Sequence, residues 1–147
     1  MNYQKEIIIH LPVQRVVELF DEPKNLYEWM EGLTSFEHLE GTIGEPGAKS
    51  KLVFQMGKRR VEMIETITVR DLPKEFSGIY EAKGVYNVVK NHFVAIDDRH
   101  TKYITDQEFR FSGFMKIIAL LFSGAFKKQT LKHMEAFKRF AESKGKA

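Results

Sequence analysis

The chain has 147 residues, of which 43% are apolar and 29% charged, with a net charge of +3 and no cysteine. That length suits one domain around one core, and the composition excludes a disordered chain. The lack of cysteine excludes disulfides, thiolate metal sites and cysteine nucleophiles.

Met1 to Glu6 lacks the basic-then-apolar order of a signal peptide, and no apolar run approaches the roughly 20 residues of a membrane span. The expectation is a soluble, cytoplasmic protein. Tyr3 to Ile9 alternates loosely and ends β-branched, which predicts a strand stopped by Leu11-Pro12. Pro12 can open a helix, where its missing N–H is not needed, and Val13, Val16, Val17 and Phe20 mark one apolar face. Asp21-Glu22-Pro23 breaks that helix and starts another, with Leu26, Trp29 and Met30 on its apolar side and Gly32 at its end.

Leu33 to Glu40 reads as a strand, and the glycine-rich stretch Gly41 to Gly47 as a flexible flap. Ser50, Leu52, Phe54 and Met56 alternate with Lys49, Lys51, Val53 and Gln55, so the next strand has a clear inner face. Gly57-Lys58 suits a two-residue hairpin. The return strand places Val61, Met63, Glu65, Ile67 and Val69 together on one face, and Asp71 to Lys74 turns the chain. Phe76, Gly78, Tyr80 and Ala82 form the inner face of the strand after it, which Lys83-Gly84 ends. Val85 to Ile96 is a strand whose two faces are equally apolar, so its orientation stays open. Asp97 to Arg99 leads into the last strand, with Tyr103, Thr105, Gln107, Phe109 and Phe111 inward.

The stretch from Phe114 to Ser143 is one long helix, or two joined at Ser123-Gly124. From Phe126 onward its apolar positions recur at helical spacing, with lysines and an arginine between them. Ahead of the glycine, Phe114 to Phe122 is apolar almost all round, interrupted only by Lys116. Such a segment must be enclosed, or must face a cavity, a partner or a membrane. Six strands joined by hairpins predict an antiparallel sheet, and only the last helix is long enough to cover its apolar face. The prediction is therefore an α+β domain over residues 1–147: a curved seven-stranded sheet, two short helices after the first strand, and a C-terminal helix across the concave face.

The opening Ile7-x-Ile9-x-Leu11-Pro12-Val13-x-x-Val16-x-x-Leu19-Phe20-Asp21, with Asn25 and Trp29, the Gly41–Gly47 loop and Phe109-x-Phe111-x-Gly113 resemble the START-like helix-grip (SRPBCC) superfamily. That group includes polyketide cyclase/dehydrase proteins and lipid-transfer domains. The resemblance covers nearly the whole chain but rests on apolar and turn positions. It implies a hydrophobic or amphipathic small molecule held between sheet and helix, with ring closure or dehydration in some members and plain binding in many. The unusually apolar run before the long helix departs from the pattern. A gate over the pocket, a membrane-docking patch or a dimer interface would each read this way.

Glu65 stands out, because a carboxylate between Met63 and Ile67 is costly unless paired, and desolvation would raise its pKa into the range of a general acid or base. Tyr80, Tyr103, Thr105 and Gln107 are inward polar groups on neighbouring strands, a stripe that suits a mostly apolar pocket needing a few orienting groups. Trp29 and Tyr86 are placed at its rim, and His92 is the one histidine considered for its lining. Phe54, Met63, Phe109, Leu121, Phe126 and Thr130 complete the expected wall. No histidine has metal-ligand spacing, and no phosphate-cradling or dinucleotide glycine motif is present, so no metal or cofactor is expected. The basic excess in the last helix and Lys58-Arg59-Arg60 reads as a solvated face; the aromatics fall on the apolar side, which argues against nucleic acid. The expected function is binding of a lipid-like or aromatic small molecule. A cyclase or dehydratase using Glu65, and a peripheral membrane or protein-interaction module using Phe114 to Phe126, are the alternatives. A monomer and a homodimer both fit.

Overall fold

Alternating side chains and glycine turns build the sheet. The computed structural model describes residues 1–145 and contains seven strands: β1 (Asn2–Ile9), β2 (Leu33–Glu40), β3 (Lys49–Met56), β4 (Arg59–Asp71), β5 (Glu75–Ala82), β6 (Val85–Ala95) and β7 (Thr101–Phe111). All pairings are antiparallel, in the order β1-β7-β6-β5-β4-β3-β2. Strands β2 to β7 thus form the predicted meander, and β1 closes onto β7. The turn glycines Gly57 and Gly84 take φ of +64° and +76°, a region open to glycine at little cost. The sixth strand stops at Ala95, one residue short of expectation, because the Ile96 N–H already bonds to His100 O across the turn.

Four helices accompany the sheet. α1 (Val13–Asp21) and the single turn α2 (Leu26–Trp29) follow β1, with a 3-10 turn, Pro23–Asn25, between them. After β7 come α3 (Met115–Leu121) and α4 (Ser123–Gly145). Of the two readings left by the sequence, two helices are present, and the chain leaves helical geometry at Phe122 (φ −125°, ψ 36°). The 23 residues of α4 give it a length of about 35 Å, enough to cross the sheet.

The two halves of α4 do different work. Its C-terminal half carries Met134, Phe137, Phe140 and Ala141, all buried against Ile9, Leu11, Val16, Leu19, Trp29, Phe93 and Tyr103. This is the main core, and it seals one end of the sheet. Phe20 lies at its edge, with ring centroids 4.9 Å from Phe93, 5.4 Å from Phe137 and 5.9 Å from Trp29. Lys138 Nζ donates to Ile8 O, and the His10 N–H donates to Glu142, so the helix is fixed to the end of β1. The N-terminal half of α4 turns Phe126, Gln129, Thr130 and His133 toward the sheet instead. Three of these four are polar. A space remains beneath them.

Candidate functional site: a cavity under the last helix

That space is a cavity of about 340 Å³ between α4 and the sheet. Large apolar side chains, among them Leu52, Phe54, Met63 and Phe109, form much of its wall. Its polar groups are uncharged: the lining contains no Asp, Glu, Lys or Arg. The roof is tied down near the start of α4. Tyr3 Oη lies 2.7 Å from Thr130 Oγ1 and donates to Phe126 O at 3.1 Å, while Phe126 packs on Phe109 and Phe111. Burial pushes the Tyr3 phenol above its ordinary pKa, with the Thr130 bond opposing.

The polar side chains of β6 and β7 form one hydrogen-bonded ladder on the cavity floor. Asn87 Nδ2 donates to Gln107 Oε1 at 3.1 Å, Gln107 Nε2 to Thr105 Oγ1 at 2.9 Å, and Thr105 Oγ1 to Asn91 Oδ1 at 2.8 Å. Register explains the arrangement, since Asn91 pairs with Thr105 and Val89 with Gln107, and directly paired residues share a face. On the roof, burial holds His133 below the ordinary imidazole pKa, more than Glu31 opposes, so the ring is neutral at pH 7.

A smaller cavity, about 70 Å³, lies behind the first and is lined in part by Ile43, Ser50, Glu65 and Phe76. Phe20, Trp29, Met30 and Tyr80 line both and form the partition. Tyr80 Oη donates to Glu65 Oε2 at 2.6 Å. Burial raises the Glu65 pKa, the Tyr80 bond offsetting part of it; burial, then the facing carboxylate, lifts Tyr80 well above the usual phenol range. Trp29 Nε1 is the one buried side-chain N or O without a hydrogen-bond partner among the described residues.

Of the side chains expected at the site, Trp29, Phe54, Met63, Tyr80, Tyr103, Thr105, Gln107, Phe109, Phe126 and Thr130 line the larger cavity together. Four do not. Glu65 points inward as expected, but into the smaller cavity, and a molecule in the larger one meets it only across Tyr80. Tyr86 and His92 are on the outer face of β6, because period-two alternation turns Val85, Asn87, Val89, Asn91 and Phe93 inward and the even positions outward. The Arg110 guanidinium stacks 5.2 Å over the Tyr86 ring; His92 lies 3.1 Å from Lys74 O and 3.5 Å from the Asp106 carboxylate. Leu121 is 68% exposed on α3. Among the polar side chains of the wall, the sequence reading missed Asn87, Asn91, Gln129 and His133. The signal for the first two was available: with Thr105 and Gln107 assigned inward, the Asp97–Arg99 turn sets which β6 residues lie opposite them. Among the described residues no three His, Asp or Glu side chains converge as a metal site.

No family model matches the chain, and neither does any curated protein sequence. Solved structures do. A conserved protein from Geobacillus kaustophilus superposes with a TM-score of 0.81 at 18% identity, covering 97% of this chain and 96% of its own. The ZhuI aromatase/cyclase from Streptomyces sp. R1128 gives 0.79 at 12% identity, covering 97% and 93%. The chain has the helix-grip fold. Norcoclaurine synthase from Thalictrum flavum, solved with dopamine and hydroxybenzaldehyde, shares that fold at a TM-score of 0.74 and 16% identity, covering 98% and 87%. At these identities the likeness concerns architecture: a helix-grip sheet, its concave face and the helix across it.

Proposed function

We propose that this helix-grip domain binds an apolar or amphipathic small molecule in the cavity under α4. One observation carries the reading: about 340 Å³ of space, walled by apolar side chains and floored by an ordered polar ladder, remains between helix and sheet. That volume lies in the range of small-molecule sites, which combine apolar walls with a few fixed polar groups. The helix-grip fold of an aromatase/cyclase and of a synthase solved with two aromatic compounds supports the class of ligand. Chemistry on Glu65 has less support, since Tyr80 stands between its carboxyl and the larger cavity. Native mass spectrometry of the purified protein, followed by organic extraction, tests the reading. A stoichiometric apolar or amphipathic compound is expected. A clean ligand-free mass, with no saturable uptake of a neutral apolar dye, would overturn it.

A second reading concerns α3 and rests on its surface. Phe114, Ile117, Leu120, Leu121 and Phe122 are all more than half exposed, Leu120 at 82%. From Phe111 to Met134 the chain has four lysines and no acidic residue, and Lys116, Lys127 and Lys128 enter no ion pair among the described residues. An apolar ridge rimmed by unpaired lysines fits an anionic membrane surface. No helix among the described residues is long and apolar enough to cross a membrane, so the contact would be peripheral.

A further inference from the structure

The wall of the larger cavity sets a charge requirement on what it takes, and this deepens the ligand-binding reading on which it rests. None of the side chains lining the space carries a formal charge at neutral pH. A carboxylate, phosphate or ammonium placed there would lose its hydration shell without gaining a counter-ion, which disfavours it. An uncharged oxygen meets a different situation. The ladder from Asn87 through Gln107 and Thr105 delivers its donated protons in one direction, to Asn91 Oδ1, which also lies 3.5 Å from Tyr103 Oη. The carbonyl of Asn91 is thereby occupied. Its amide nitrogen donates to nothing among the described residues, yet it is absent from the fully buried, unpartnered atoms, so it keeps accessible surface. Asn91 is 7% exposed and lines the cavity, so that surface faces the cavity. Two N–H donors are therefore fixed on the floor by a ladder that dictates which way the amide turns. From the roof, His133 lines the same cavity without a side-chain hydrogen bond among the described residues. A neutral imidazole there can donate or accept one more.

We propose that the cavity is selective for ligands with an uncharged oxygen-bearing head, an alcohol, ketone or phenol, received by the Asn91 amide, and that it discriminates against carboxylates and ammonium ions of the same chain length. The specificity-determining residue is Asn91, positioned by Thr105, Gln107 and Asn87.

Displacement of Nile red, a neutral apolar dye, tests this at pH 8 with decan-1-ol, decanoate and decylammonium as competitors. Decan-1-ol is expected to displace the dye at least tenfold more tightly than either ion. Lowering the pH toward the ordinary carboxyl range should strengthen decanoic acid and leave decan-1-ol unchanged, because the neutral acid forms. Asn91→Leu, similar in size, should keep the dye and weaken decan-1-ol about fivefold or more. Equal displacement by alcohol and carboxylate in the wild type would overturn the proposal whether or not the Asn91 variant folds, and would leave the ligand-binding reading standing. Failure of the protein to take up Nile red, or uptake whose affinity Val89→Phe leaves unchanged, would overturn the ligand-binding reading itself and this proposal with it.

Discussion

At the scale of single residues, Glu65 shows what alternation reveals and what it leaves out. Its place between Met63 and Ile67 correctly marks an inward, buried carboxyl, and burial is the main cause of its raised pKa. Alternation cannot say which of two spaces that face addresses. Here the answer depends on Tyr80, directly opposite on β5, whose ring closes the gap and whose hydroxyl holds the carboxyl. The sign of the linkage is fixed by the direction of the shift. A folded-state pKa above the unfolded value of 4.5 means that the folded protein holds the proton more tightly. The contribution of Glu65 is then fully favourable below the unfolded pKa and is lost as pH rises through the folded one. Glu65→Gln keeps an oxygen to accept from Tyr80 and removes the buried charge. It should raise Tm at pH 7 by a few degrees, the size expected of a change on the order of 1 kcal/mol, and the gain should vanish below about pH 4.5. Thermal melts across that range check it. A variant less stable than wild type at pH 7 and equal at pH 4 would show that the carboxylate is favourably held. Turnover on a substrate that survives Glu65→Gln undiminished would remove this residue from any catalytic role.

Among the elements, α3 and α4 separate two kinds of apolar segment that look alike in composition. In α4 the large apolar residues of the C-terminal half, Met134, Phe137 and Phe140, are buried, and none of its large apolar residues is fully exposed. In α3 they surround the axis, and only Ala119 is buried. The segment is held at its start: Met115 packs over Gly84, where an added Cβ would stand 2.8 Å from the Met115 side chain, and the Ser112 N–H donates to Gly84 O. The strand residues flanking that turn, Ala82 and Val85, line the cavity, so α3 stands beside one end of it. The wild-type protein should co-sediment with vesicles containing anionic phospholipid and much less with purely zwitterionic ones, the difference shrinking as salt is raised. Leu120→Asp with Leu121→Asp should weaken the association at least a hundredfold, since each leucine forfeits roughly 1.5–3 kcal/mol of burial. Vesicle binding unchanged by the pair would remove the membrane reading. A dimer in solution that the same pair breaks would assign the surface to a second copy instead.

At the scale of the whole molecule, the fold was legible because it follows from signals that need no three-dimensional context. Period two on β3, β4 and β7, glycine turns at Gly57 and Gly84, and period 3.6 on α4 settle a meander with one covering helix. The site was partly legible for the same reason: a residue assigned to an inner face is a candidate for the wall. Legibility stopped where both faces are equally apolar, as on β6, and where a cavity has to be told from a filled core. Twelve phenylalanines could have filled the space. They do not, because Phe20, Phe93, Phe137 and Phe140 gather at the C-terminal end of α4, while the N-terminal half presents Gln129, Thr130 and His133. The emptiness is thus a property of where volume is distributed along one helix, and adding volume in the middle of the floor should narrow it. Val89 is the position of choice: it lines the cavity, is 9% exposed, and lies at the middle of β6 opposite Gln107. Val89→Phe adds a ring into open space, so the overpacking strain of a dense core does not apply, and the narrowed cavity should leave the apo protein as stable as wild type or up to about 1 kcal/mol more so. The same substitution narrows the space and should weaken uptake of a neutral apolar dye about tenfold. Retained stability with weakened binding is the signature of a functional void. A loss of several kcal/mol would mean instead that helix and sheet already meet at Val89.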